Sequence, residues 1–311
     1  MFNFFANIFG YLLQLVYHLV NNYGLAIISF TVVIKILLLP LSIKQQRSMK
    51  KSAELNEKMK VLQFKYKNDP EKLNQEMMNL YKSENMSPFS GCLSAIVQII
   101  LLFAVFYLVR SPLTYMEKVN PDIINKYSKI VKENNLSTNS AYPEIEIIRE
   151  LDNIKNLKNT ENTNNEEQTT EENKTDLAEI NNDEIDSLYI NMDFLGLNLA
   201  QVPTRSSDWK AYIIPVLYVI VAIISMRITN PTKTNKKATK ENKDEKALSN
   251  PEDEFDPMAQ MNKNMNMMFP VMYLAVALIA PLGLALYWLM NSLLMIIERL
   301  ILNKLLKDEE E

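Results

Sequence analysis

The sequence predicts an all-α polytopic membrane protein with five transmembrane helices and a cytoplasmic helical hairpin. Hydrophobic residues make up 48% of the chain and are concentrated in uncharged runs between highly polar loops. The runs are residues 1–34, 85–109, 211–226 and 265–297. A helix of about 20 apolar residues crosses the hydrocarbon core. The last run has 33 residues, so it holds two spans with a turn at residues 280–283.

Charge patterning predicts the orientation. Residues 43–88 carry 10 Lys/Arg and 6 Asp/Glu, whereas residues 111–208 carry 9 Lys/Arg and 19 Asp/Glu. Lysine and arginine next to span ends mark the cytoplasmic side, and they crowd behind the first span and behind the third. We therefore expect the N-terminus outside and the C-terminus inside. Residues 229–262 then form a cytoplasmic linker, and residues 304–311 form a short cytoplasmic tail.

Residues 1–21 predict an external helix in the membrane interface rather than a sixth span. Polar side chains recur there at helical spacing and fall on one face; they are Asn3, Asn7, Gln14, His18 and Asn21. An amphipathic helix of this kind buries its apolar face in the lipid headgroup region. The residues expected to enter the outer leaflet are Phe2, Phe5, Phe9, Leu12, Leu13 and Val16. His18 belongs to the polar face and receives no catalytic role.

Lys35 is the first charged residue of the chain and lies inside the first predicted span, residues 22–42. A charge near mid-membrane costs from roughly 3 to over 10 kcal/mol, so it usually faces a protein interior or a water-filled cavity. A functional role is therefore the favoured interpretation. The alternative is that the side chain snorkels toward the cytoplasm, where Lys44 follows.

Residues 43–88 predict a helical hairpin. Apolar residues recur at near-heptad spacing on both sides of a break, where Asp69 suits a helix N-cap and Pro70 the first helical position. The two apolar stripes would pack on each other and leave lysine-rich outer faces. Such faces are either solvated surface or a docking surface for anionic partners. The docking candidates are Lys58, Lys60, Lys65 and Lys67.

The second and fifth spans each carry polar side chains. Gln98 lies in the second span, residues 89–110, and its amide needs a partner in the membrane. It either joins helices or shares a polar cavity with Lys35. In the fifth span, residues 283–303, a mixed face contains Tyr287, Trp288 and Asn291. This face would meet Lys35 and Gln98, although an aromatic pair is also ordinary packing.

The remaining segments complete the predicted topology. Residues 111–208 form an external loop with short surface helices, and the Asn-, Glu- and Thr-rich stretch 151–188 is predicted to be a disordered insertion. The third span is predicted at residues 209–228, where Trp209 marks the interface. The fourth span is predicted at residues 263–281.

Most catalytic chemistry is missing from the sequence. The chain contains no phosphate-binding loop, no dinucleotide fingerprint and no zinc-protease motif, and it has one histidine and one cysteine. We therefore predict that the protein is not an enzyme and needs no metal or cofactor. The basic hairpin lacks a nucleic-acid-binding motif, so no specific nucleic acid is expected as a partner.

Several segments, in this order along the chain, resemble those of YidC-type membrane protein insertases, the bacterial branch of the Oxa superfamily. They begin with Asn22-Tyr23-Gly24-Leu25 at the start of the first span, followed by the span charge and Leu39-Pro40-Leu41, Lys67-Asn68-Asp69-Pro70 in the hairpin, Gly91-Cys92-Leu93 with Gln98, Phe194-Leu195-Gly196-Leu197-Asn198-Leu199, and Pro281-Leu282-Gly283-Leu284 with Tyr287-Trp288.

The resemblance implies a five-helix core around a water-filled groove that is open to the cytoplasm and to lipid but closed on the outside. Lys35 occupies the family's groove-charge position, where arginine is usual, and Gln98 and Trp288 match other groove residues. The candidate groove set is Lys35, Gln98, Trp288, Tyr287, Asn291 and Thr31. Lysine differs from arginine because it is a point charge without the planar fork.

The function so implied is insertion of membrane proteins in the bacterial cytoplasmic membrane. The groove would receive short polar or acidic tails of nascent membrane proteins and release their apolar helices into the lipid bilayer without nucleotide hydrolysis. Further implied partners are the ribosome or the signal-recognition targeting machinery and the Sec translocon. The chain ends Asp308-Glu309-Glu310-Glu311, unlike relatives with long basic tails that bind ribosomes. The alternative is a small-solute or anion transporter that binds its substrate with Lys35.

Overall fold

The computed structural model describes residues 2–67, 69–84, 90–136, 141–163, 181–229 and 272–308. The described chain is mostly helical, as predicted. Its helices are α1 (Phe2–Val20), α2 (Tyr23–Lys65), α3 (Pro70–Ser83), α4 (Ser90–Arg110), α5 (Pro112–Tyr115), α6 (Pro121–Glu133), α7 (Pro143–Thr163), α8 (Asn182–Leu188), α9 (Ile213–Thr229), α10 (residues 272–279) and α11 (Leu282–Asp308). A two-stranded antiparallel hairpin joins β1 (Asp193–Phe194) to β2 (Leu197–Asn198).

Four described helices are long and apolar enough to cross a membrane. The stretches are Asn3–Val20 in α1, Tyr23–Ser48 in α2, Trp209–Ile228, which includes the short 3-10 turn before α9, and Leu282–Leu305 in α11. A shorter apolar stretch covers Ile99–Arg110. These stretches are those of a multi-pass membrane protein. Residues 230–271 lie outside the described residues; they include all but the first residue of the predicted linker 229–262 and much of the predicted fourth span.

The predicted first span, residues 22–42, and the first half of the hairpin lie on one continuous helix, α2. The place where this helix leaves the membrane stays a prediction. α2 has 43 residues, about 65 Å of helix at 1.5 Å per residue. It begins where the side chain of Asn22 accepts a hydrogen bond from the Leu25 N–H at 3.1 Å. Pro40 lies inside it, and the helix continues because nothing in the following basic segment stops it before Tyr66.

The predicted break of the hairpin is confirmed. The Asp69 side chain accepts a hydrogen bond from the Lys72 N–H at 3.0 Å, and Pro70 is the first residue of α3. α3 then folds back on α2, where the Tyr81 hydroxyl donates to Met59 Sδ at 3.4 Å. α11 also begins at the predicted turn, directly after Pro281. It continues through the predicted tail as far as Asp308.

Helix α1 packs on the protein with part of the face that was expected to enter lipid. Leu13 is fully buried and Val16 nearly so, because α1 lies against α2, α4 and α5. A Cβ at Gly10 would overlap the backbone carbonyl of Tyr115, which explains the small residue at this contact. On the polar face, Lys118 donates to the Asn7 side chain at 2.9 Å.

The described parts of the segment between α4 and α9, residues 111–136, 141–163 and 181–212, form an ordered cap, and the predicted disordered stretch 151–188 is wrong at both ends. α7 continues to Thr163, and α8 begins at Asn182. The cause is a set of aliphatic side chains that are buried against α6 and each other, namely Leu151, Ile154, Ile185 and Leu188. These residues recur at helical spacing within a sequence whose average composition is polar. Residues 164–180 lie outside the described chain.

Three of the sequence motifs meet where the cap covers the helix bundle: those that contain Tyr23, Phe194 and Gly283. The Tyr23 N–H donates to the Asn191 carbonyl at 2.9 Å, and the Gly283 N–H donates to the Leu199 carbonyl at 2.9 Å. A Cβ at Gly24 would overlap the ring of Phe194 in the β-hairpin. The starts of α2 and α11 are therefore held together by the segment that contains β1 and β2.

The cap and the helical hairpin lie at opposite ends of α2. The cap contacts the first turn of α2 at Tyr23, whereas α3 contacts its last third near Met59. This arrangement agrees with the expectation that the acidic loop and the basic hairpin lie on different sides of a membrane.

Candidate functional site

Lys35 is paired with a carboxylate on another helix. Its Nζ lies 3.1 Å from Oε2 of Glu298 on α11, and the two side chains are 22% and 14% exposed. Both helices begin beneath the cap. At 1.5 Å per residue, Lys35 lies about 18 Å and Glu298 about 24 Å from these starts. The two residues thus reach a similar depth in the bundle from helices that run in the same direction.

The second oxygen of Glu298, Oε1, is buried and has no hydrogen-bond partner among the described residues. A buried polar atom without a partner carries a desolvation penalty, so its presence needs an explanation. Within the described part of the chain, the pair therefore leaves one acceptor without a donor.

A narrow cavity adjoins Lys35. Its volume is about 50 Å³, room for a few water molecules and well below the roughly 300–1,000 Å³ of small-ligand pockets. The polar side chains of its wall belong to Thr31, Lys35, Ser42, Gln45, Tyr287 and Asn291, and the other lining residues are Phe30 and aliphatic residues of α2 and α4. The cavity lies between α2, α4 and α11.

Four of the six predicted groove residues meet at this cavity: Thr31, Lys35, Tyr287 and Asn291. The Thr31 hydroxyl donates its hydrogen to the Ile27 carbonyl of its own helix at 2.6 Å. Toward the cavity, its oxygen can therefore act only as a hydrogen-bond acceptor. Tyr287 is buried, whereas Asn291 is partly exposed. The side chain of Gln98 lies outside the described residues.

Comparison with known proteins identifies the family. Residues 15–310 match the profile of the family described as 60Kd inner membrane protein, which covers nearly the whole chain. The chain belongs to this family. Three relatives are each named membrane protein insertase YidC: from Caldanaerobacter subterraneus subsp. tengcongensis, 46% identical over 102 residues; from Clostridium perfringens, 46% over 99 residues; and from Chlorobaculum parvum, 49% over 92 residues.

These alignments cover about a third of the present chain: 33%, 32% and 30% in the same order. They cover 50%, 41% and 16% of the relatives. The chain therefore aligns with half or less of each relative's length.

Trp288 of this family member points away from the cavity. Its ring lies 5.9 Å from the ring of Tyr218 on α9, centroid to centroid, and Tyr218 lies 5.9 Å from Tyr273 on α10. Successive residues of a helix point about 100° apart, so Tyr287 lines the cavity while Trp288 packs between helices. The three aromatic rings join α9, α10 and α11.

The lysines of the hairpin differ in their surroundings. Lys58 forms an ion pair with Glu84, which caps the C-terminus of α3, and the Lys65 ammonium lies 5.2 Å from the ring centroid of Tyr66. Lys67 is exposed, and the side chain of Lys60 lies outside the described residues. Val61 and Phe64 are 67% and 70% exposed beside them. The described part of the hairpin thus presents cations together with apolar side chains.

Glu298 is the site residue that the sequence interpretation missed in this family member. A signal was present, because Glu298 is the first charge after the uncharged run 265–297 and lies inside the predicted fifth span. An acid in one apolar span is the natural partner of a lysine in another. Among the described residues, no cluster of three or more His, Cys, Asp or Glu side chains forms a candidate metal site.

Proposed function

We propose that this protein is a membrane protein insertase and chaperone of the bacterial cytoplasmic membrane. It receives short polar or acidic tails of nascent membrane proteins in an intramembrane groove and releases their apolar helices into the bilayer, without nucleotide hydrolysis. The observation that carries the proposal is a cation within an apolar helix long enough to cross a membrane, beside a cavity lined by both polar and apolar side chains, in a chain of this family. The names of the relatives support the same activity.

The proposed topology has five spans with the N-terminus outside. The cap then lies outside and closes that end of the groove, and the hairpin lies in the cytoplasm. Lysines and arginines next to the spans favour this orientation. The cap supports it, since Asn191, Leu199 and the Gln201 carbonyl tie down the starts of α2 and α11 and leave the cavity farther down the bundle.

Electrostatics and burial supply the energy in this proposal. The attraction between opposite charges is much stronger in a groove of low effective dielectric than in water, so the Lys35 ammonium favours a polar tail part-way across the membrane. The apolar segment that follows enters lipid, and its burial contributes about 25 cal/mol per Å². The protein lowers the free-energy cost of moving the polar tail into the membrane. Burial of the substrate's own apolar surface drives the entry of its helix into lipid.

Reception of a tail requires the helices around the cavity to separate. A volume of about 50 Å³ is too small for a polypeptide segment and also for the small-ligand site of a solute transporter. The wall between Lys35 and lipid includes Leu101 and Leu102 of α4, and Leu102 is 41% exposed. Movement of α4 relative to α2 would open the cavity toward lipid.

Nascent membrane proteins are the proposed substrates. The ribosome or the signal-recognition targeting machinery, together with the Sec translocon, are further proposed partners. The hairpin offers the surface for them, because exposed lysines stand beside Val61 and Phe64. Lys65 and Lys67 are the better docking candidates, since Lys58 already has Glu84 as its partner.

Reconstitution of the full chain tests the proposal. Proteoliposomes that contain the protein and no other machinery should insert a single-span reporter with a short polar tail, without added nucleotide, as measured by protease protection of the tail. Empty liposomes and liposomes with a protein of similar size and no groove are the controls. Equal protection in all three preparations would contradict the proposed function.

A further inference from the structure

We propose that Glu298 is a specificity-determining residue of the groove, which makes the site select tails that carry a hydrogen-bond donor or cation together with an acidic group. This inference rests on the proposed insertase function and concerns the class of tail that the site receives. It differs from the picture of a lone cation, in which any acidic tail is sufficient.

The net charge of the pair is the first argument. Lys35 and Glu298 are 3.1 Å apart and largely buried, so together they present a dipole rather than a positive charge. An acidic group of a tail can pair with Lys35 only if it displaces Glu298. A buried carboxylate that loses its cation is strongly disfavoured. An acidic tail by itself therefore exchanges one ion pair for another and leaves Glu298 without its hydrogen-bonded cation, with only the electrostatic attraction of the adjacent Arg299.

The free oxygen is the second argument. Oε1 of Glu298 is buried and has no hydrogen-bond partner among the described residues, while Oε2 is held by Lys35. An ammonium, a guanidinium or an amide N–H on the tail satisfies this acceptor, and charge-assisted hydrogen bonds of this kind are the strong ones. A tail that carries both an acid and a donor compensates both members of the pair. It thus gains more than a tail with an acid alone.

The surroundings of Glu298 favour a role in selection over one in simple packing. Lys35 lines the cavity together with Asn291, which lies two helical turns before Glu298 on α11. The following residue, Arg299, is a second cation within electrostatic range of Glu298, but it is not among the residues that line the cavity. Lys35 is the group that connects Glu298 to the cavity, and a tail that reaches Lys35 comes within range of both charges.

The experiment compares four reporters in proteoliposomes of the full chain, without a membrane potential. Their tails have equal length and are neutral, acidic, basic, or mixed with one Asp and one Lys. The variants are wild type, Glu298→Gln, and the charge swap Lys35→Glu with Glu298→Lys, which keeps an ion pair in place. Protease protection measures insertion, and protection of the cap from the same protease checks that each variant is folded.

The wild type should insert the mixed tail several-fold better than the acidic tail. Glu298→Gln should reverse this order, because Lys35 then has no resident partner, and the charge swap should keep the wild-type order. The same order of tails in the wild type and in folded Glu298→Gln overturns the inference and leaves the proposed function intact. If Glu298→Gln does not fold, a charge swap that loses the preference for the mixed tail overturns it. Failure of the wild type to insert any reporter overturns the proposed function itself.

Discussion

The ammonium of Lys35 on α2 lies 3.1 Å from a carboxylate oxygen of Glu298 on α11, although 263 residues separate them along the chain. This contact ties the first apolar helix after the N-terminal helix to the last helix of the chain. It also explains how a lysine can exist at that depth, because a buried charge with a hydrogen-bonded partner avoids most of its desolvation cost.

The charge pair should affect both stability and insertion. Lys35→Ala leaves Glu298 buried without its hydrogen-bonded cation, which costs up to about 3 kcal/mol for a partly exposed pair, so the unfolding temperature in detergent should fall. Lys35→Arg keeps the charge and should retain insertion. The double variant Lys35→Ala with Glu298→Gln should recover stability but not the insertion of acidic reporters. Full insertion by this stable double variant would contradict the electrostatic role of Lys35.

Gly24 should be intolerant of a side chain. A Cβ there overlaps the ring of Phe194, so Gly24→Ala should displace the β-hairpin and increase hydrogen exchange at residues 191–200. Gly283→Ala is the matched control, because its nearest neighbour, a ring carbon of Tyr23, would be 3.4 Å away, an ordinary contact. Equal hydrogen exchange in the two variants would show that the β-hairpin does not depend on the close contact between Gly24 and Phe194.

The local stability of the cap around Glu117 should decrease as the pH rises, because the buried carboxyl of Glu117 then loses its proton. Burial raises the pKa of its carboxyl, and His18 opposes this shift; Oε1 has no hydrogen-bond partner among the described residues. The folded protein therefore holds this proton more tightly than the unfolded chain does. Stability is greatest below the ordinary pKa, about 4.3, and declines as the pH rises toward the raised value.

Glu117→Gln should remove this decline. Hydrogen exchange at residues 113–119, measured from acidic to neutral pH, tests it, and Asp152→Asn on the exposed face of α7 is the control. A pH profile of Glu117→Gln that coincides with the wild type would refute the assignment.

The described cap predicts two different outcomes for two changes in the acidic loop. Deletion of residues 151–188 removes Leu151, Ile154, Ile185 and Leu188, and each buried Leu or Ile lost to a small residue costs about 2–5 kcal/mol. This deletion should therefore prevent assembly of the cap. Replacement of residues 164–180 by a Gly/Ser linker of equal length should leave the cap intact. Protease resistance of the cap in detergent distinguishes the two, and the same resistance in both would show that those side chains contribute little.

Local sequence signals predicted where α3 and α11 begin. Asp69 with Pro70, and the turn before α11, are set by capping and by the missing N–H of proline, which act within a few residues. The sequence also showed the glycines of the family motifs, but it did not show why a small residue is needed at each of these positions. Gly24 is small because Phe194, far away in sequence, packs against it.

The rotation of helices about their axes was the part that sequence could not predict. Tyr287 and Trp288 are adjacent, yet one lines the cavity and the other packs on Tyr218. Which face of an apolar helix meets which neighbour depends on the packing of the whole bundle, because all faces are similarly hydrophobic. The same limit hid the pairing of Lys35 with Glu298.

A photo-crosslinking residue in place of Asn291 tests the central claim most directly, with the same residue in place of Trp288 as its neighbour control. The claim is that the cavity beside the Lys35–Glu298 pair receives the nascent chain. With a ribosome-stalled single-span substrate, we predict crosslinks to the tail from position 291 and far fewer from position 288, whose side chain faces Tyr218. Crosslinks from position 288 alone, or from neither, would contradict the account.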